Sequence, residues 1–261
     1  MSTLIETIDY QKTLELVAAG LKSRGVIRLF FDLDDTIIPN REIFVFYEKK
    51  CLDLLASQLP EVPRQQLNEQ FQQLNNKSHE VIGVSPKKWL RVLSSIAEIY
   101  PTISPAALTQ SLAILNEIYS TPSTFLPGAQ ETLSTFHDAQ APISIVTHAN
   151  ASWTWRKYSW LDLDRYLPPE AMVIVDENGH KTDIEWAQGI KRFSVLPTEA
   201  IIAGDSPRTD INPALRAGVP PQNVFWIKRP EYWSVYKEDV PKEVTRLTSI
   251  SELINVLITT S

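Results

Sequence analysis

Two apolar runs in the chain end in closely spaced acids. Val26 to Asp32 (VIRLFFD) continues as Leu33-Asp34-Asp35-Thr36, and Ala200 to Ala203 (AIIA) continues as Gly204-Asp205-Ser206-Pro207-Arg208-Thr209-Asp210. Side chains alternate along an extended strand, so Asp32 and Asp34 share one side. Carboxylates that close stay ionised together only with a cation between them; otherwise one holds a proton, and either state can serve an enzyme. If the second run delivers Asp205 and Asp210 to the same edge, the acids form an all-oxygen site of the kind that suits Mg²⁺. Thr147 closes a third run, ISIVT, and Lys181 lies in the polar turn Asn178-Gly179-His180-Lys181 after a fourth, AMVIV. A phosphoryl group needs hydrogen-bond donors and positive charge, and these two residues can supply both. Each feature also has a plainer reading: an acidic loop tip at Asp32 and Asp34, a first-turn helix acid at Asp210, a strand-end threonine, a lysine in a turn.

The elements that must position these residues follow from the hydropathy pattern. Val26 to Asp32, Ile143 to Thr147, Ala171 to Val175, Ala200 to Ala203 and Asn223 to Ile227 are predicted strands. Several are apolar without alternation, as parallel strands covered on both faces are. The class is α/β, a doubly wound parallel sheet of Rossmann-like type, in which strand C-terminal ends line the ligand crevice. About 110 residues separate the first two strands, far more than one crossover helix needs. The insert reads as helical over Arg41 to Leu55, Pro63 to Leu74, Pro86 to Tyr100 and Pro105 to Tyr119. Ser85-Pro86 and Ser104-Pro105 give two of these helices a capping hydroxyl and a first-turn proline. Residues 40–124 are therefore expected to form an α-helical cap inserted into a core of residues 1–39 and 125–261. Ser249 with Glu252 is a capping box opening a last helix over LINVLI.

Composition narrows the partners. The 261 residues carry 31 acidic and 25 basic side chains, a net charge of −6, which argues against nucleic acid. With 43% hydrophobic residues the chain can bury a sizeable core. The single cysteine, Cys51, cannot close an intrachain disulfide or build a thiolate zinc site, so a reducing cytoplasm is the expected compartment. Glu6, Asp9 and Glu15 interrupt the N-terminal apolar residues, spoiling a signal segment or membrane span and leaving an amphipathic helix. Cys51 is expected to be a small buried residue. The face shared by Trp153, Arg156 and Trp160 is expected in the core or at a subunit contact, and Lys87, Lys88 and Arg91 on a solvated helix face.

In this order, FFDLDDT, ISIVT, Lys181 and IIAGDSPRTD resemble the signatures of the haloacid dehalogenase-like hydrolases. Those signatures are an apolar strand with D-x-D-x-T, a strand ending in Ser or Thr, a lysine, and a strand with G-D-x-x-x-x-D. The resemblance spans about residues 26–227, and Leu126-Pro127-Gly128 with the residues after Asp210 is similar to the phosphoglycolate phosphatase-like branch, which has a helical cap. It implies a phosphoric monoester hydrolase acting on small phosphorylated metabolites, with Asp32 as nucleophile forming an aspartyl-phosphate and Asp34 as general acid, then base. Mg²⁺ would be held by Asp32, the Asp34 carbonyl and Asp205, with Asp210 in or next to its shell. Thr147 and Lys181 would bind the phosphoryl oxygens. Family dehalogenases generally lack the second acid, so Asp34 favours phosphoryl transfer. The chain differs from many relatives at Thr182 (proline), Thr209 (asparagine) and His148 (asparagine). Lys191 and Arg192 stand in if Lys181 is not the lysine, and His148 lies where it can touch substrate. A sugar-phosphate mutase and a non-catalytic binding protein with a vestigial site are the alternatives. A response-regulator receiver is disfavoured, since no suitable acid follows the third strand. Neither a membrane partner nor a particular oligomeric state is implied.

Overall fold

The apolar runs do form one parallel sheet in the computed structural model, which describes residues 2–175, 181–229 and 239–259. Among the described residues the strands are β1 (Arg28–Phe31), β2 (Ile143–His148), β3 (Met172–Val175), β4 (Ala200–Gly204), β5 (Val224–Ile227) and β6 (Thr245–Leu247), in the spatial order β3-β2-β1-β4-β5-β6. β1 lies between β2 and β4, in register Phe31 to Ile145 on one side and Phe31 to Ala203 on the other. The strand order reverses at that point, which opens a crevice at the C-terminal ends of β1 and β4. The one strand without a sequence signal is β6, because three residues pairing at a sheet edge carry too short a pattern to read.

Helices cover both faces. Phe31, Leu133, Phe136 and Leu253 belong to the buried cluster on one side, and Phe30, Trp186, Ile190 and Ile211 to the cluster on the other. The core helices are α1 (Ser2–Ser23), α6 (Ala129–Asp138), α7 (Ala151–Trp160), α8 (Asp183–Arg192), α9 (Asn212–Arg216) and α10 (Glu252–Thr259). α10 begins at the expected glutamate, but the capping box is shifted by one residue. The Glu252 carboxylate accepts from the Thr248 N–H at 3.2 Å, while Ser249 Oγ accepts from the Ser251 N–H.

α1 packs on α10 so closely that a β-carbon at Gly20 would stand 2.2 Å from the Leu257 carbonyl oxygen. Gly20→Ala should gain up to about 1 kcal/mol of helix propensity yet lose about 1–3 kcal/mol to overpacking. The expected net result is a lower thermal midpoint, and an unchanged or higher one would argue against this contact.

The insert is α2 (Asn40–Ser57), α3 (Arg64–Ile82), α4 (Lys87–Ile99) and α5 (Pro105–Asn116), an inserted α-helical cap with its own apolar centre. Cys51, Leu55, Phe71, Trp89 and Ile96 are buried there. The Leu126 N–H donates to the Ile37 carbonyl at 2.8 Å, so the chain leaves for the insert and returns from it at one point. Ser104 caps α5 as expected, its hydroxyl accepting from the Ala107 N–H at 3.2 Å. Lys88 departs from expectation. Lys87 and Arg91 are exposed, but Lys88 falls on the α4 stripe of Trp89, Val92 and Ile96 and is buried. Its Nζ lies 4.2 Å from the Trp89 ring centroid and 4.9 Å from that of Phe44, and burial pushes the ammonium down to about 8.

Candidate active site

Strand geometry brings three of the expected acids together. The Asp32 N–H donates to the Ala203 carbonyl at 2.9 Å, tying the end of β1 to that of β4. Asp32, Asp205 and Asp210 each offer a carboxylate oxygen within 4.8 Å of the others. Asp210 reaches the cluster through a π-helical turn over Pro207–Ile211, the kind of wide turn common at functional sites. Its Oδ2 accepts from the Ser206 N–H at 3.0 Å, and Trp186 Nε1 donates to the Thr209 carbonyl at 2.8 Å, pinning the turn from outside. The glycine of the G-D pair has a steric reason: a β-carbon at Gly204 would stand 2.6 Å from the Asp210 carboxylate.

Lys181 is the lysine that meets the acids. Its ammonium pairs with Asp32 and, at 2.5 Å, with Asp210, and donates to the Val146 carbonyl at 3.0 Å. Asn178, Gly179 and His180 of its turn lie outside the described residues. Thr182 explains how Lys181 is held from the other side. Thr182 caps α8, its N–H donating to the Glu185 carboxylate at 2.9 Å while its Oγ1 accepts from the Ile184 N–H at 3.2 Å. A threonine here therefore does the anchoring that a proline would do by rigidity. Arg192 instead donates to the carbonyl of Met172, where β3 begins, at the opposite end of the strands from the acids, and Lys191 shares that last turn. Thr147 is buried near the C-terminal end of β2, with half-exposed His148 closing the strand beside it.

Asp34 stands apart from the three-acid cluster and has a partner of its own. Lys157 Nζ lies 2.6 Å from Asp34 Oδ1, with the lysine side chain 0% exposed and that of Asp34 19% exposed. The same ammonium sits 3.2 Å from the ring centroid of Trp153, which in turn packs on Tyr119 at 5.0 Å and Phe44 at 6.0 Å. The sequence does hold a trace of this pair, since Trp153 and Lys157 are four apart on one helical face. It was masked by the stronger aromatic spacing of Trp153, Arg156 and Trp160. Arg156 donates to the Tyr119 carbonyl at 3.3 Å, and Trp160 packs against the cap cluster.

Asp35 is a second addition. It adopts φ +60, and its Oδ1 accepts from the Arg41 N–H at 2.8 Å, turning the chain from the β1 loop into α2. Burial raises its carboxyl to about 7, with the Asp34 charge adding.

The charge balance of the cluster is unequal. Among the described residues three carboxylates meet one ammonium, so with all three ionised the site is short of positive charge by two, a deficit that protons make up where no cation does. Burial raises the Asp32 carboxyl to about 8 against the pull of Lys181, and the Asp210 charge raises it further. Burial likewise lifts Asp205 well above the carboxylate range, with Asp210 and Asp32 adding. Lys181 moves in the matching direction: the two acids outweigh its burial and raise it. Burial lowers Lys157, against Asp34.

His79, on the exposed rim of α3, is lowered by its crowded surroundings and then by the charges of Lys88, His148 and Arg208. Two surface cavities lie away from the acids. One of about 360 Å³ is lined by Leu21, Val26 and Ala141, and one of about 540 Å³ by Arg28, His137 and Tyr166.

The family described as haloacid dehalogenase-like hydrolase matches residues 29–224. A glyceraldehyde 3-phosphate phosphatase of Pyrococcus furiosus is 25% identical over 240 residues, covering 88% of this chain and 94% of that one. A haloacid dehalogenase-like hydrolase structure from Xanthomonas campestris superposes with TM-score 0.69 at 16% identity, covering 90% of this chain and 93% of that one. A 2-haloacid dehalogenase from Pseudomonas syringae gives 0.57 at 22% identity, covering 90% of this chain and all of that one, so the fold itself does not choose between the two chemistries.

Proposed function

The chain belongs to the haloacid dehalogenase-like hydrolases, and from that premise we propose a Mg²⁺-dependent phosphatase that cleaves small phosphorylated metabolites through a phosphorylated Asp32. It is a phosphoric monoester hydrolase; the metal, the covalent step and the residue roles are the proposal. The observation that carries it is the juxtaposition of Asp32, Asp205 and Asp210 with Lys181.

A dication fits the residues present. Fully ionised, the cluster lacks two positive charges, and its donors are all oxygen. Asp32, the Asp34 carbonyl and Asp205 would hold the ion, with Asp210 in or beside the shell. When bound, Mg²⁺ neutralises the charge of nucleophile and phosphoryl group together.

Asp32 attacks phosphorus, the bond to the leaving oxygen breaks, and Asp34 gives that oxygen a proton. In the second half Asp34 takes a proton from water as its oxygen attacks phosphorus and the bond to Asp32 breaks, releasing phosphate. Lys181 and Thr147 hold the equatorial oxygens as charge spreads over them. Asp34 favours this route over dehalogenation, since a leaving alkoxide needs a proton and a leaving halide does not. The cap, taken as residues 40–124, would close over the crevice and exclude water. The phosphatase from Pyrococcus supports a small phosphorylated substrate, and the single buried Cys51 is consistent with a reducing cytoplasm.

Chelator should silence release of free phosphate from p-nitrophenyl phosphate, and Mg²⁺ should restore it. Full turnover after exhaustive chelation would remove the metal from the reading, and transfer to a second substrate hydroxyl without phosphate release would favour a mutase.

A further inference from the structure

We propose that Lys157 is a positioning residue of the phosphatase, holding Asp34 by one carboxylate oxygen so that the other serves proton transfer. The inference rests on the reading of Asp34 as general acid and base. Asp34 projects from the β1 loop and is partly exposed, and among the described residues no hydrogen bond from the loop fixes its carboxylate. Proton transfer requires a group already within hydrogen-bond reach, and small misplacements cost large factors in rate.

The lysine is fixed on two sides. Its only hydrogen-bond acceptor among the described residues is Asp34 Oδ1, at 2.6 Å, and its ammonium is backed by the Trp153 ring at 3.2 Å. Stability alone gives little reason for such a pair, because a buried ion pair gains little over an apolar one of the same shape. Lys157 is supplied by α7, directly after β2, and so comes from a different strand-to-helix unit than Asp34 does. Trp153, one turn earlier, packs on Phe44 of α2 and on Tyr119, so the support of Asp34 is built into the contact between core and cap. The ammonium also offsets the charge of Asp34 as an anionic ester arrives, without occupying the cluster that Lys181 serves.

Lys157→Met tests this, with Lys157→Gln, which keeps a neutral donor, wherever the Met variant fails to fold. Rates are taken per folded molecule with p-nitrophenyl phosphate, whose leaving group needs no proton. The second half-reaction should then suffer alone. A fall in kcat of about 10- to 100-fold is expected, with KM falling in parallel, so that kcat/KM, which reports the unaffected phosphorylation step, changes by less than about threefold. Phosphorylated protein should accumulate to a level visible by intact mass after acid quench, and should vanish when Asp32→Asn is added. Turnover at the unmodified rate would overturn the proposal. So would slow turnover without captured phosphorylated protein, since a merely structural loss slows every step. Absence of turnover by the unmodified protein would instead strike at the phosphatase reading itself.

Discussion

Asp32→Asn should lower turnover of p-nitrophenyl phosphate by on the order of 10⁴-fold or more, because an amide cannot attack phosphorus and the site has no second acid at the same place on β1. The fold should survive the change. Asn keeps the shape, and Lys181 retains Asp210 at 2.5 Å. Stability gives an independent readout in chelator. The folded Asp32 carboxyl is raised from 3.8 to about 8, so between those values the folded chain holds a proton that the unfolded chain has lost. Stability of the metal-free protein should fall as pH climbs through that window. Asp32→Asn should flatten the slope, leaving the part due to Asp35 and Asp205, which are raised in the same direction. Thermal midpoints of both proteins across that pH window would show it. A variant that keeps more than about one hundredth of the activity would move the nucleophile elsewhere.

The sheet was legible because buried parallel strands are continuous apolar runs, and the acids because their motifs sit directly at strand ends. The cap was legible from the length of the insert and its two Ser-Pro starts. What escaped depends on packing. β6 is three residues whose only signal is an open edge on β5. Lys88 looks solvated beside Lys87 and Arg91, and only the orientation of α4 against Phe44 turns it inward. Lys157 escaped because its partner lies 123 positions away, and its four-residue spacing from Trp153 is hidden beneath the aromatic spacing of Trp153, Arg156 and Trp160. Thr182 shows the reverse: a departure from the familial proline becomes intelligible once its cap on α8 is seen to present Lys181.

The pairing of Asp34 with Lys157 decides how the role of Asp34 is tested. Asp34→Ala would leave a fully buried ammonium with no acceptor among the described residues, a loss of about 3–5 kcal/mol that could abolish folding. Asp34→Asn keeps an oxygen for Lys157 and removes only the ability to carry a proton. With p-nitrophenyl phosphate, phosphorylation of Asp32 should continue, since nitrophenolate leaves unaided. Hydrolysis of the acyl phosphate should slow by about 10²–10⁴-fold for want of a base. Excess Asp34→Asn protein with Mg²⁺ should therefore show a burst of nitrophenolate approaching the protein concentration, then a slow phase. A linear trace would leave open which step had become limiting, so intact mass after rapid acid quench decides. A phosphorylated Asp34→Asn protein that Asp32→Asn/Asp34→Asn never shows supports both assignments. Covalent phosphate persisting in the double variant would mean that Asp32 is not the nucleophile. An Asp34→Asn protein that turns over at the unmodified rate would take the base away from Asp34, and with it the reason for the buried lysine.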